Sequence, residues 1–208
     1  MESNFLSIIF VIIATIINSI VFGYVASNTK NNKTNKSYLV FLTFIIFYTI
    51  FDCIVIQMFN SIAIKNIIVK IQACFWMPLS ILFMNFIYSL LKKKKYIMFH
   101  FLLILSILSI AITIFSNNVL LGFRDYNFGT MAYTGTLFLP ITFLGILPSA
   151  VYALYLIGKE GNIFNINNKK KREETTPFAS LQLKILFFGS MICLIIAVTT
   201  NIFFDEVL

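Results

Sequence analysis

Six apolar stretches, each about 20 residues long, constrain this chain more than any other feature of its sequence. Their approximate limits are 5–27, 38–59, 71–91, 97–115, 135–157 and 181–204. A helix that rises ~1.5 Å per residue needs about 20 residues to cross a ~30 Å hydrocarbon layer. Barrel strands would alternate apolar and polar residues over ~10 positions, which continuous runs such as LSIIFVIIATIINSIVF do not do. The sequence therefore predicts an all-α fold, an integral membrane bundle of about six transmembrane helices.

The composition supports membrane insertion rather than a soluble fold. The 208 residues are 59% hydrophobic and only 12% charged, and their mean hydropathy is +0.91. One soluble core of this size cannot bury that much apolar surface. The polar segments 28–36 and 161–176 are too short to hold a second folded unit, so residues 1–208 are expected to form a single transmembrane domain. The N-terminal stretch carries only Glu2 and is long for a signal peptide, which predicts that the first span is retained.

The distribution of basic residues predicts the orientation of the spans. Thirteen of the sixteen Lys and Arg residues lie in, or just after, the first, third and fifth connections. These are Lys30, Lys33, Lys36, Lys92, Lys93, Lys94, Lys95, Lys159, Lys169, Lys170, Lys171, Arg172 and Lys184. Short loops rich in Lys and Arg stay in the cytoplasm. The chain is therefore expected to be a multi-pass protein of the cell (inner or cytoplasmic) membrane, with its N-terminus and C-terminus outside.

The net charge of +8 does not predict a nucleic-acid partner, because no soluble basic domain is present to bind one. The charges lie where topology alone would put them. The run Lys92 to Lys95 is expected to act as a topological anchor, and attraction to anionic lipid headgroups is a general property of such clusters. Membrane lipids are accordingly the expected partners.

No pattern of catalytic or metal-binding residues is evident. The chain has no phosphate-cradling Gly-rich loop, nucleophile elbow or HExxH pair. Cys53, Cys74 and Cys193 lie in apolar spans without a close-spaced Cys or His partner, and His100 is a lone histidine at a membrane boundary. We therefore expect a protein that is not an enzyme, with no catalytic residue, metal site or cofactor.

Polar residues inside the spans carry the functional signal. Asp52 is the only acidic residue well inside a span, and an unpaired carboxylate costs roughly 2.5 to 3.5 kcal/mol at a helix centre. Several other polar or interfacial residues have a similar expected depth near the outer side. The resulting candidate ligand-binding set is Asp52, Gln57, Gln72, Trp76 and Asn201.

Two interpretations of this set are open. In the first, the residues line an outward-opening pocket where polar groups orient a small molecule between apolar walls. In the second, Trp76 belongs to the interfacial aromatic belt, Pro78 kinks the third helix, and Thr199 and Thr200 hydrogen-bond neighbouring helices.

Three segments resemble the N-terminal seven-transmembrane region of bacterial and archaeal sensor histidine kinases. They are ACFWMPLSILFMNFIYSLLKKKKY, GFRDYNFGTMAYTGTLFLP and ASLQLKILFFGSMICLIIAVTTNIFF. The last resembles the family most, because Gln182 and Lys184 precede an apolar helix that carries Gly189 and then Thr200 and Asn201. The resemblance spans essentially the whole chain. It implies a signal-input domain that binds a small-molecule ligand or senses membrane stress, and that acts as a homodimer or through a separate signalling partner.

The chain departs from the family in two respects. The family has a seventh helix followed by a kinase or similar output module, whereas this sequence stops at FFDEVL after the sixth span. Met84 and Asn85 precede Phe86 where the family would have a His, so no role of that His is carried over. The sequence therefore predicts a sensor domain without its output module. The alternatives are a small transporter or permease subunit, in which Asp52 would couple to an ion, and an accessory membrane protein.

Overall fold

The computed structural model describes residues 2–27, 32–57, 62–126, 129–161, 163 and 181–195. Within these ranges, the side chains of 52–57 and 122–133, among others, are not described. Eight α-helices are present in the described ranges: α1 (Glu2–Ser27), α2 (Lys33–Gln57), α3 (Ile62–Trp76), α4 (Leu79–Leu90), α5 (Ile97–Phe115), α6 (Phe138–Ile141), α7 (Leu147–Glu160) and α8 (Leu181–Ile195). A π-helical turn, Thr142–Ile146, joins α6 to α7.

The prediction of a helical membrane protein is confirmed in its coarser form. Four helical segments are long and apolar enough to cross a membrane: Lys33–Phe51, Asn66–Leu90, Ile97–Phe115 and Phe138–Glu160. Val11–Ser27 and Leu181–Ile195 are shorter apolar helices. Many large apolar side chains point away from the protein interior, including Ile20 at 66% exposure, Leu144 at 66% and Ile185 at 65%. Such a surface needs lipid rather than water around it.

The predicted and observed limits agree best for the fourth span, 97–115, which coincides with α5. The second helix begins at Lys33, five residues before the predicted start, because Asn32 caps it through its side-chain oxygen, which accepts a hydrogen bond from the Thr34 N–H at 3.0 Å. The third predicted span is divided at Met77–Pro78 into α3 and α4. Pro78 lacks an N–H and therefore interrupts the helical hydrogen bonds, as its expected kinking role implies. The predicted residues 196–204 of the sixth span lie outside the described residues.

Pro148 explains the irregular helix of the fifth span. Pro148 cannot donate to the carbonyl four residues earlier, and its ring would clash with that carbonyl in a regular α-helix. The helix instead widens by one residue, so that the Leu147 N–H bonds to the Thr142 carbonyl, five residues back. Gly145 lies within this turn and is buried against α5.

The connection from α5 to α6 forms an antiparallel hairpin, which was not foreseen in the all-helical prediction. Its strands are β1 (Leu120–Tyr126) and β2 (Gly129–Thr134), with Phe123 opposite Ala132. Val119 and Leu120, at its base, pack with Met77 and Phe138 in a cluster that joins α3, α6 and the hairpin. The hairpin is thereby attached to α3 and α6.

The main core lies among α4, α5, α7 and α8. Met84, Tyr88, Leu102, Ile157 and Phe187 are among its buried members. A separate aromatic cluster joins α2 to α3, since the Phe75 ring lies 5.2 to 5.8 Å from those of Phe44, Phe47 and Phe51. Between α1 and α2, the Thr15 hydroxyl donates to that of Thr49 at 3.0 Å. Interhelical contacts of these kinds hold a bundle together in lipid, where apolar burial alone contributes little.

Candidate functional site: an apolar pocket beside the last helix

The predicted outer site lies partly outside the described residues. Asp52 and Gln57 lie on α2, but their side chains fall outside the description, and Asn201 lies outside the described residues. Gln72 is buried at 6% exposure. Trp76 is half-buried, with its ring centroid 6.3 Å from that of Phe138 in the cluster below the hairpin. The ligand-binding role of these five residues therefore stays a prediction.

A different pocket, of about 570 Å³, is formed between α2, α4, α7 and α8. Its wall is almost entirely apolar, and its polar atoms come from a few small side chains. The lining residues are Tyr38, Phe41, Leu79, Ser80, Phe83, Phe86, Ala150, Leu154, Ile185, Leu186, Gly189, Ser190, Cys193 and Leu194. A volume of this size is within the range of small-molecule sites, and we call it the apolar pocket.

The α2 wall of the apolar pocket is held against α4 by a ladder of contacts. Near the start of α2, Thr34 donates to the Ser89 carbonyl at 3.0 Å, and the Ser37 and Ser89 hydroxyls are 2.9 Å apart. One turn further, the rings of Tyr38 and Phe86 lie 5.0 Å apart, and those of Phe41 and Phe83 lie 5.7 Å apart. Residues three and four apart share a helix face, so one stripe of α2 is polar at its start and aromatic beside the pocket.

One face of α8 forms the opposite wall. The α8 lining residues recur at intervals of one, three and four, as expected for a single helix face: Ile185, Leu186, Gly189, Ser190, Cys193 and Leu194. A Cβ added to Gly189 would meet no atom within 4 Å. The glycine is therefore not required by close packing, and its missing side chain enlarges the pocket.

Ser80 supplies a polar atom in this wall. Its side chain is 9% exposed, and its hydroxyl has no hydrogen-bond partner among the described residues. An unpaired hydroxyl in an apolar surrounding costs free energy, so a ligand that hydrogen-bonds to Ser80 would gain from contact with it. Four further hydroxyls, of Tyr88, Ser106, Thr142 and Ser149, are also buried without a partner of standard geometry in the described part of the chain.

Comparison with protein-family models, curated proteins and solved structures finds no match to this chain. The resemblance to sensor histidine kinases therefore stays a prediction, and function must be argued from the pocket and its walls.

Sequence reasoning did not find the apolar pocket, although one signal was visible. Gly189, Ser190 and Cys193 place three small residues on one face of α8, where a bulkier apolar series would fill the space between helices. Cys193 is an exposed free thiol at the pocket wall. The other described cysteine, Cys74, is a partly exposed free thiol.

Proposed function

We propose that this chain is a multi-pass protein of the cell membrane that acts as a signal-input domain and binds a lipophilic small molecule in the apolar pocket. The observation that carries the proposal is that α8 forms one wall of that pocket. A ligand between α4 and α8 would therefore contact the helix of the sixth predicted span, whose sequence resembles the sensor-kinase family most. In the resembling sensor kinases, the final helices pass a signal to the output module.

The proposed topology has six spans, with both termini outside. It takes the four long apolar helical segments together with the two shorter ones, Val11–Ser27 and Leu181–Ile195. The basic asymmetry of the connections supports this orientation. A homodimer or a separate signalling protein would supply the output.

Signalling by this route requires two arrangements of the bundle that bind the ligand unequally. The π-helical turn and Pro148 make the α7 wall a suitable place for such a change, because π-bulges and prolines weaken the regular helical hydrogen bonds. A ligand that binds one arrangement about tenfold more tightly than the other lowers the free energy of the favoured arrangement by about 1.4 kcal/mol relative to the other. That amount is enough to redistribute two nearly equal states.

A photoreactive fatty acid tests occupancy of the apolar pocket. Cross-linking in membranes should concentrate on Phe83, Phe86 and α8, and Ala150→Trp should abolish it by filling the pocket. Val151→Trp is the matched control, because Val151 is the next residue on α7, is 50% exposed and does not line the pocket. Cross-links spread evenly over lipid-facing positions would show that the pocket is only a lipid-contacting surface.

A distance measurement tests signal transfer. Spin labels at the exposed positions Leu181 and Tyr96 report the position of α8 relative to the connection before α5. The fatty acid should change the distance distribution in the parent protein and leave it unchanged in Ala150→Trp. An unchanged distribution in both proteins would contradict a signalling role.

The transporter alternative is supported by the π-helical turn between Pro140 and Pro148, since interrupted helices mark substrate sites in many transporters. It predicts flux of a solute or ion into proteoliposomes that depends on Asp52. The sensor proposal predicts binding without such flux. The accessory-protein alternative predicts neither.

A further inference from the structure

A second pocket, of about 690 Å³, lies where the start of α2 meets the end of α4. Five lysines contribute to its wall: Lys33, Lys36, Lys92, Lys93 and Lys95. None of the described residues that line it is an Asp or Glu. We call this cavity the basic pocket.

The basic pocket brings together two lysine groups that are far apart in the sequence. Thr34 and Ser37 on α2 both bond to Ser89 on α4, which fixes the first turn of α2 against the last turn of α4. Lys33 and Lys36 are thereby placed beside the run that follows Leu91. The partial positive charge at the N-terminal end of α2 meets the partial negative charge at the C-terminal end of α4, so the lysines supply the net positive charge here.

The end of α4 turns sharply to direct the run into the pocket. The Lys93 N–H donates to the Tyr88 carbonyl at 3.0 Å, and the Lys92 N–H donates to the Ser89 carbonyl at 3.3 Å. These are the two hydrogen bonds of a Schellman motif, whose residue with positive φ is usually glycine. Here that residue is Lys92, with φ of 51°. The chain thus carries a positive charge at a position where glycine would fit more easily.

Four of the five lysines have no carboxylate partner within the described ranges. Lys93 pairs with Glu160 on α7 at 2.5 Å, and Lys95 lies 4.5 Å from the centre of the Phe99 ring. Tyr88 also lines the pocket and is 1% exposed. Its hydroxyl lies near the Tyr152 side chain and the Tyr96 backbone, and it makes no hydrogen bond of standard geometry with any described residue. Among the described residues, the pocket therefore offers a buried hydroxyl and four lysines without a carboxylate partner, beside the one lysine that Glu160 pairs.

We propose that the basic pocket binds the phosphate of an anionic lipid headgroup. The oxygens of one phosphate can accept hydrogen bonds from several lysine ammonium groups and from a hydroxyl at the same time. The position favours a lipid over a soluble phosphate, because the pocket lies at the ends of two spans, between the first turns of Lys33–Phe51 and the last turns of Asn66–Leu90. Its wall also continues directly into the apolar pocket, since Ser37 and Asn85 line the former and their chain neighbours Tyr38 and Phe86 line the latter.

Lipid binding is measured by native mass spectrometry and by thermal shift, with the purified full chain titrated with phosphatidylglycerol or phosphatidylcholine. The double variant Lys36→Gln/Lys92→Gln should lower the phosphatidylglycerol affinity about tenfold or more, as expected for two lysines near a charged headgroup. The matched control is Lys159→Gln/Lys184→Gln, which removes two exposed charges outside the pocket. Its affinity should change less than about twofold.

Tyr88→Phe is the second variant, because it removes only the hydroxyl and preserves the buried ring. It should weaken phosphatidylglycerol binding about threefold or more while the protein keeps its helical spectrum and elution volume. Equal losses in both double variants would reduce the effect to general attraction and overturn the proposal. Equal affinity for the two lipids would overturn it too, as would saturable binding of millimolar inorganic phosphate that displaces the lipid.

Discussion

Gly145 lies directly against the side chain of Ser109, so closely that a methyl group at position 145 would overlap the Ser109 hydroxyl oxygen. This contact joins the π-helical turn to α5. The Ser109 hydroxyl donates to the Leu105 carbonyl at 2.8 Å and is thereby held in place on its own helix.

Gly145→Ala should destabilise the bundle by about 1 to 3 kcal/mol, because overpacking a tight contact displaces the neighbouring helix. Thermal unfolding in detergent measures the change. Gly23→Ala is the control, since a Cβ at Gly23 would meet nothing within 4 Å, and it should leave the unfolding temperature unchanged or slightly raised. Adding Ser109→Ala should restore part of the loss, and a double variant no more stable than Gly145→Ala would contradict this contact as the cause.

Lys92→Gly should stabilise the end of α4 by about 1 kcal/mol, because it removes the cost of a side chain at positive φ. This gain is measured by unfolding the variant in detergent to which no anionic lipid is added. Lys94→Gly is the matched control, as Lys94 is exposed in the same connection and does not have a positive φ. It removes the same charge and should give no stabilisation. A destabilised Lys92→Gly variant would contradict the prediction.

The orientation is tested by labelling single cysteines in a cysteine-free background. Thr136→Cys, which follows the hairpin, should react with an impermeant maleimide in intact cells, and Lys94→Cys should react only after permeabilisation. Both positions are exposed, so accessibility within the protein does not limit either reaction. The reverse pattern would invert the proposed topology.

Asp52→Asn should retain near-normal yield and lose ligand response or pH sensitivity, if the carboxylate faces the bundle interior as the cost of lipid contact predicts. A chimera that adds a seventh helix and a kinase to the chain gives the readout. Asp52→Cys should also resist labelling by lipid-phase reagents. Strong labelling, or a fully responsive Asn variant, would leave Asp52 as a tolerated polar residue.

The sequence by itself determined the helical character of the chain and the limits of α5. A span must satisfy all its backbone hydrogen bonds within one segment in lipid, so hydropathy and length alone located α5 at 97–115. The prolines also indicated where helices would be irregular, because a missing N–H acts locally. These properties depend on neighbours in the chain.

The pockets were decided only by the tertiary structure. In the sequence, Lys36 and Lys92 belong to two separate basic connections. They line one pocket because Thr34 on α2 donates a hydrogen bond to the Ser89 carbonyl on α4. The apolar pocket depends likewise on which face of α8 meets α4, which hydropathy does not specify when a helix is apolar on nearly all sides. The hairpin was not predicted because its base is stabilised by contacts with Met77 and Phe138, which come from other segments of the chain. In lipid, the packing of one helix face against another sets these contacts, because the hydrophobic effect does not favour one apolar face over another.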